Sequence, residues 1–309
     1  MRNVLITGAY GFIGRYAARQ YHKRGYKVTG IGHGSWNENE YLSWGISLWK
    51  SSDITLENLM VLEEVPNLIV HCAGSGSVAA SVQNPMQDFE RTVQTTQTVL
   101  EYVRLQKLQY NRDIKIIYPS SAAVYGNSFQ LPIQENSLLQ PISPYGVHKK
   151  MAEELCHLYG QQYGVSSIVV RLFSVYGNGL KKQLLWDACQ KYEQNRLEFW
   201  GDGLERRDWV HVEDVARLLV MAENYASVKV PIVNCGSGKS RTIQDVLSRV
   251  IEAFPKRKAY VFNGKVNVGN PRDYLADDSK IQSWGWKPVV DLSDGIRQYV
   301  GWYIEHGKG

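Results

Sequence analysis

Val4-Leu5-Ile6-Thr7-Gly8-Ala9-Tyr10-Gly11-Phe12-Ile13-Gly14 is an apolar strand that runs into a glycine-rich turn and opens a helix. The spacing suits a dinucleotide. Gly8 permits a tight turn, Gly11 lets the backbone approach a pyrophosphate, and Gly14 lets the helix pack closely on the strand, while unpaired N–H groups at the helix start face the anion. A glycine loop alone is often a plain turn; the strand before it and the helix after it favour a cofactor site.

Outward from that turn, apolar strand-like runs alternate with helix-like segments: Val4 to Ile6, Val28 to Ile31, Leu68 to His71, Ile114 to Tyr118 and Ser167 to Arg171. The expected fold is α/β, a Rossmann doubly wound parallel sheet with a smaller C-terminal α/β lobe that binds substrate. Residues 1–173 form the dinucleotide-binding domain on this reading, rejoined by about 231–238, where Ile232-Val233-Asn234-Cys235 reads as another strand. Residues 174–309 form the substrate lobe. The stretch from Pro119 to Pro144, rich in Ser, Pro and Gly, is a long loop of the kind that usually carries function.

The chain of 309 residues is long enough to bury a full core, and its net charge of +5 is spread out rather than clustered. The short basic runs Lys181-Lys182 and Lys256-Arg257-Lys258 read as solvated surface, so no nucleic-acid partner is expected. Cys72, Cys156, Cys189 and Cys235 show no zinc-ligand spacing and read as reduced core thiols; no metal is expected. The absence of a leader pattern and of a membrane-length apolar run leads to the expectation of a cytoplasmic protein without membrane association.

Tyr145 and Lys149 lie four residues apart at the start of a helix introduced by Ser143-Pro144, so they share one face. A phenol ionises near pH 10; an adjacent ammonium favours the phenolate and brings Tyr145 towards acid/base duty. Ser121, in Ser120-Ser121-Ala122-Ala123-Val124-Tyr125-Gly126, follows a buried strand at the edge where open α/β sheets place ligands. It is expected to hydrogen-bond the oxygen that Tyr145 protonates; the bland alternative is a turn cap. Lys149 can also hold the nicotinamide ribose.

Taken together, these motifs resemble the extended short-chain dehydrogenases/reductases, specifically the nucleotide-sugar epimerase, dehydratase and reductase group. The resemblance runs from the Thr7 to Gly14 loop through Asp53-Ile54-Thr55, His71-Cys72-Ala73-Gly74, Ser121, Tyr145 and Lys149. It continues into Arg171-Leu172-Phe173-Ser174-Val175-Tyr176-Gly177 and Trp200-Gly201-Asp202-Gly203 and ends in Arg207-Asp208-Trp209-Val210-His211-Val212-Glu213-Asp214. It implies cofactor contacts from Gly8, Tyr10, Gly11, Phe12, Ile13, Gly14, Asp53, Ile54, Cys72, Ala73, Gly74, Tyr145 and Lys149. It also implies a nucleoside-diphosphate sugar held by Ser121, Ser174, Phe199, Arg207 and Arg272, and a homodimer built on the Tyr145 helix. Arg207 suits a diphosphate because a guanidinium makes forked, charge-assisted bonds. An ion pair with Asp208 or Glu205 is its bland alternative.

Departures from the family pattern narrow the expected reaction. Ala122 and Ala123 stand where the dehydratases carry an Asp-Glu pair, so dehydration is disfavoured. The second strand ends Gly32-His33-Gly34-Ser35 without the usual ribose-binding acid, which points to NADP, with His33 and Ser35 on its phosphate and Arg15 nearby; NAD is the alternative. Reduction of a C4 ketone on a nucleotide-linked sugar is therefore the leading expectation, with 4-epimerisation close behind and a non-catalytic dinucleotide-binding protein third. Thr92 and Ser174 replace common Asn positions, and Asn267 before Gly269-Asn270 replaces a common Arg, for which Arg272 is the candidate substitute.

Overall fold

Seven strands form the main sheet: β1 (Asn3–Thr7), β2 (Lys27–Gly32), β3 (Leu48–Ser51), β4 (Leu68–His71), β5 (Lys115–Ser121), β6 (Ser167–Leu172) and, later in the chain, β10 (Ile232–Cys235). Their spatial order is β10-β6-β5-β4-β1-β2-β3. Every pair from β6 across to β3 is parallel, with Val4 beside both Val28 and Leu68 and Ser120 beside Arg171. Helices cover such a sheet on both faces, which is why β4 and β6 are buried along their whole length and read as near-continuous apolar runs. This is the expected Rossmann-like α/β fold. β3 was not foreseen. It is a four-residue edge strand, Leu48-Trp49-Lys50-Ser51, half open to solvent, so no alternation or apolar run marks it.

The computed structural model describes residues 2–128, 130–265 and 272–307, which divide into two units. The first takes the chain up to Gly126, Leu138–Leu172 and Ala216–Val233; the second takes Asn127–Ser137, Phe173–Val215 and the chain from Asn234. Ala216–Val233 belongs with the sheet for visible reasons. Leu219 O accepts from the Tyr21 hydroxyl at 3.0 Å, Glu223 pairs with Arg2 at 2.8 Å, and Pro231 O accepts from Val169 N at 3.0 Å. Leu5, Ile69, Val99, Leu100, Val103, Ile116, Tyr118, Cys156 and Val169 make one buried cluster between the sheet and its helices.

In the second unit, β7 (Ser174–Tyr176) runs parallel to β9 (Arg206–His211), which pairs antiparallel with β11 (Ser240–Thr242). β8 (Glu198–Phe199) pairs in parallel with β12 (Val261–Phe262). The buried Asp208 carboxylate is the knot of this unit. It accepts from Ser237 N and Oγ, Gly238 N and Ala276 N at 2.6–3.1 Å, so one side chain of β9 anchors two loops. Burial pushes that carboxyl up to about 6, against the downward pull of the donors around it. Asn267, Gly269 and Asn270 lie outside the described residues.

Candidate active site

At the glycine turn, Gly8 adopts φ +66°, and a Cβ there would come within 2.7 Å of Ala73 N. A Cβ on Gly14 would come within 2.3 Å of Gly8 O, so the turn and the Phe12–Lys23 helix close on each other only as glycines. Gly11 caps that helix with extended backbone and no side-chain capping bond, so no cap side chain takes up the N–H groups of the first turn. The loop after β4 is tied to the same turn. Ala73 N donates to Thr7 Oγ1 at 3.2 Å, and Thr7 Oγ1 and His71 Nδ1 share a hydrogen bond of 2.7 Å. His71 also meets Thr96 Oγ1 at 3.2 Å and stacks on Tyr118; burial drives its pKa down to about 3 and keeps it neutral. Burial pushes the Cys72 thiol up to about 12, which makes it inert.

Thr92 reaches this corner through an irregular turn. Glu90–Gln94 is a π-helical turn between the Pro85–Phe89 and Thr95–Tyr110 helices, and from it Thr92 Oγ1 accepts from Ser75 N at 3.3 Å beside Gly74. Such turns often lie at functional sites.

Ser121 ends β5 and Tyr145 opens the Pro144–Tyr163 helix. Ser143 caps that helix by accepting from Gly146 N at 3.2 Å, Pro144 occupies its first turn, and Gly164 closes it at φ +66°. Ser121 does two things at once: its hydroxyl accepts from Ala123 N at 3.2 Å, capping a short 3-10 turn, and it hydrogen-bonds the Tyr145 phenol. Lys149, 5% exposed, donates from Nζ to Pro119 O at 3.0 Å and sits 4.8 Å from the centre of the Tyr118 ring. Ser121, Tyr145 and Lys149 thus meet at the C-terminal edge of β5.

The electrostatics differ from the expectation for Tyr145. Burial raises its pKa, the Ser121 hydrogen bond opposes that, and nearby Asp88 raises it further; the Lys149 ammonium is not among its influences. Burial also lowers Lys149 to about 8, partly offset by Cys72, Glu153, Asp88 and Cys156. Asp88, buried, receives His148 Nδ1 at 2.6 Å one position before Lys149.

The end of β2 also differs. His33 faces an acid: its Nε2 lies 2.9 Å from Asp53 Oδ1, an exposed pair at 79% and 69%. The sheet register that sets Gly32 beside Ser51 brings Asp53 to the end of β2, where the sequence shows no acid. Arg15 is committed as well. Its guanidinium lies 5.3–5.4 Å from the ring centres of Tyr10, Trp36 and Trp44 and donates to Tyr10 O at 2.6 Å, so it fastens the helix to the 36–44 segment. Ser35 is exposed, and Ile54 follows Asp53 where Thr55 caps the next helix.

In the second unit, Arg207 Nη1 donates to Arg206 O at 2.8 Å and Arg272 O at 2.9 Å, which disfavours the ion-pair alternative with Asp208, whose oxygens are engaged elsewhere. Arg272 pairs with Asp202 at 3.1 Å. Phe199 is buried among Tyr260, Phe262 and the Lys191 ammonium, and Ser174 begins β7. Among the described residues no group of His, Cys, Asp or Glu could hold a metal ion, and no helix is long and apolar enough to cross a membrane.

A parallel sheet with a glycine turn at the end of β1 and a Ser, Tyr and Lys at the end of β5 defines a dinucleotide-binding α/β enzyme class. The chain belongs to the NAD dependent epimerase/dehydratase family, whose profile matches residues 4–236, within the extended short-chain dehydrogenases/reductases. It is 31% identical to a putative UDP-glucose 4-epimerase of Methanocaldococcus jannaschii over 318 residues, 99% of each chain. It superposes on the UDP-glucose 4-epimerase of Thermotoga maritima, solved with UDP-glucose, at a TM-score of 0.87 and 26% identity, covering 99% of this chain and 100% of that one. The UDP-glucuronic acid 4-epimerase of Bacillus cereus, solved with UDP-glucuronic acid and NAD, gives 0.86 and 26%, with 98% and 99% covered.

Glu153, Arg171 and Asp53 as the neighbour of His33 escaped the sequence reading. The first had a signal: Tyr145, Lys149 and Glu153 are spaced i, i+4, i+8 along one helix face.

Proposed function

We propose that the protein is an NAD-dependent 4-epimerase of a UDP-linked hexose or hexuronate. The observation that carries this reading is the meeting of Ser121, Tyr145 and Lys149 at the edge of β5, in a chain similar to the two solved 4-epimerases named above. Ala122 and Ala123 after Ser121 offer no carboxyl for dehydration. Ketone reduction and its NADPH preference rested on a bare end of β2; Asp53 stands there, and its carboxylate would repel a 2′-phosphate. NAD is therefore the proposed cofactor.

The residues fit that group. The Gly8, Gly11 and Gly14 turn leaves backbone room for a pyrophosphate at the helix start, Tyr10, Phe12, Ile13 and Ala73 frame it, Asp53 and Ile54 take the adenosine end, and Gly74 and Lys149 take the nicotinamide ribose. When bound, NAD supplies a hydride acceptor that returns what it takes. Tyr145 removes the proton from the sugar C4 hydroxyl and gives it back to the epimeric oxygen, and Ser121 holds that oxygen. Ser174, Phe199, Arg207 and Arg272 are the proposed nucleotide contacts, the two guanidinium groups taking the diphosphate. A homodimer through the Tyr145 helix is also proposed, supported by exposed Val147, Met151 and Leu158 on that helix.

The test is to purify the protein, identify the dinucleotide released on denaturation, and offer UDP-glucose and UDP-glucuronate without added cofactor. Conversion to the C4 epimer without net cofactor consumption is expected. Stoichiometric NADPH oxidation with a 4-keto nucleotide sugar, and no interconversion, would overturn the proposal.

A further inference from the structure

We propose that Glu153, paired with Arg171, is a positioning residue that holds Ser121 and Lys149 in register by clamping the Tyr145 helix to the end of β5. The inference rests on the roles proposed above for Ser121 and Lys149.

Three consecutive residues of β5 each meet a different turn of one helix. Pro119 O accepts from Lys149 Nζ at 3.0 Å, the Ser120 hydroxyl donates to Glu153 Oε1, and Ser121 bonds Tyr145. The central contact is the buried one. Glu153 also receives Arg171 through Nε at 3.1 and 3.2 Å and Nη2 at 2.7 Å, and Arg171 Nη1 donates to the Tyr125 hydroxyl at 2.9 Å. Arg171 stands beside Ser120 in the sheet register, so the clamp spans two strands, the helix and the turn after Ser121. All four of Ser120, Glu153, Arg171 and Tyr125 are buried.

A buried ion pair is seldom kept for stability, since well-packed apolar residues often do as well. This one fixes geometry. Ser121 is flanked by a residue whose hydroxyl is tied to Glu153, and Lys149 is one helical turn from that carboxylate. The groups facing Lys149 are Glu153 and Cys156 from its own helix, Tyr118 from β5, His71 and Cys72 from the end of β4, and Asp88 from the Pro85–Phe89 helix. Of these, Glu153 and Asp88 supply the negative charge that keeps the buried ammonium protonated.

Two variants and two readouts test this. Ser120→Ala leaves the ion pair whole and cuts the tether; kcat for epimerisation is expected to fall on the order of tenfold, with KM, NAD affinity and Tm near wild type. Glu153→Gln removes the charge; the pH above which NAD affinity weakens, followed by protein fluorescence, is expected to move down by about one unit. The fluorescence titration needs no sugar. A wild type that binds NAD but epimerises no UDP-sugar therefore sinks the functional reading, while the titration still decides the clamp. If Glu153→Gln does not fold, Ser120→Ala decides it. Wild-type kcat in Ser120→Ala, or a uniform loss in Glu153→Gln with an unmoved pH profile, would overturn the proposal.

Discussion

Tyr145 and Lys149 share a helix face but are held by different partners, one by a serine hydroxyl and the other by a carbonyl oxygen. That separation assigns their work. In the proposed reaction Tyr145 exchanges the proton, so Tyr145→Phe should lower kcat by about a thousandfold while calorimetry finds NAD affinity within a few-fold of wild type. Undiminished turnover would remove Tyr145 from the mechanism. Asp53 carries the other prediction at this scale. Replacing its carboxylate in Asp53→Asn removes a charge from the proposed adenosine end without changing size, and the ratio of NADP to NAD affinity should rise about tenfold. An unchanged ratio would show that discrimination resides elsewhere.

The strands and helices differ in how plainly they could be read. β1, β4, β5 and β6 are buried on both faces, so their apolar runs announced the parallel sheet; β3, at the edge with Lys50 and Ser51 in it, had no such signature. Ser121, Tyr145 and Lys149 were legible because helix periodicity and an N-cap act locally. The His33 and Asp53 contact was not, because it depends on which residue of β3 lies beside Gly32, and register is set by the whole sheet. The end of β4 also makes a prediction. His71 titrates near 6.5 when unfolded and about 3 when buried, so between those values the unfolded chain binds the extra proton. Stability should therefore fall as pH drops below about 6.5, by up to roughly 1.4 kcal/mol per unit. Denaturant midpoints measured from pH 7 to pH 5 should fall more steeply in the wild type than in His71→Asn; parallel slopes would contradict the assignment.

For the molecule as a whole, the outer face of the Tyr145 helix carries Val147, Met151 and Leu158 at 40%, 38% and 46% exposure, spaced so that all three fall on one side. Their proposed burial against a second copy predicts a dimer by light scattering at micromolar concentration. Leu158→Glu should shift it towards monomer, and a wild type that is monomeric throughout would end that proposal. The two units also divide the chemistry. The groups proposed for proton transfer and the glycine turn belong to the first, and the arginines proposed for the diphosphate belong to the second.

The π turn at Glu90–Gln94 has a similar consequence on a smaller scale. An α-helix turns by about 100° per residue, and this turn holds one residue more than α-helical geometry requires. Deleting one residue there would let the segment close into an unbroken helix while rotating Asp88 and everything before it by that angle relative to Thr96, Val99 and Val103 in the core. The irregularity thus works as a phase adjuster: Thr95–Tyr110 stays in step with the sheet, and the segment before it stays in step with His148.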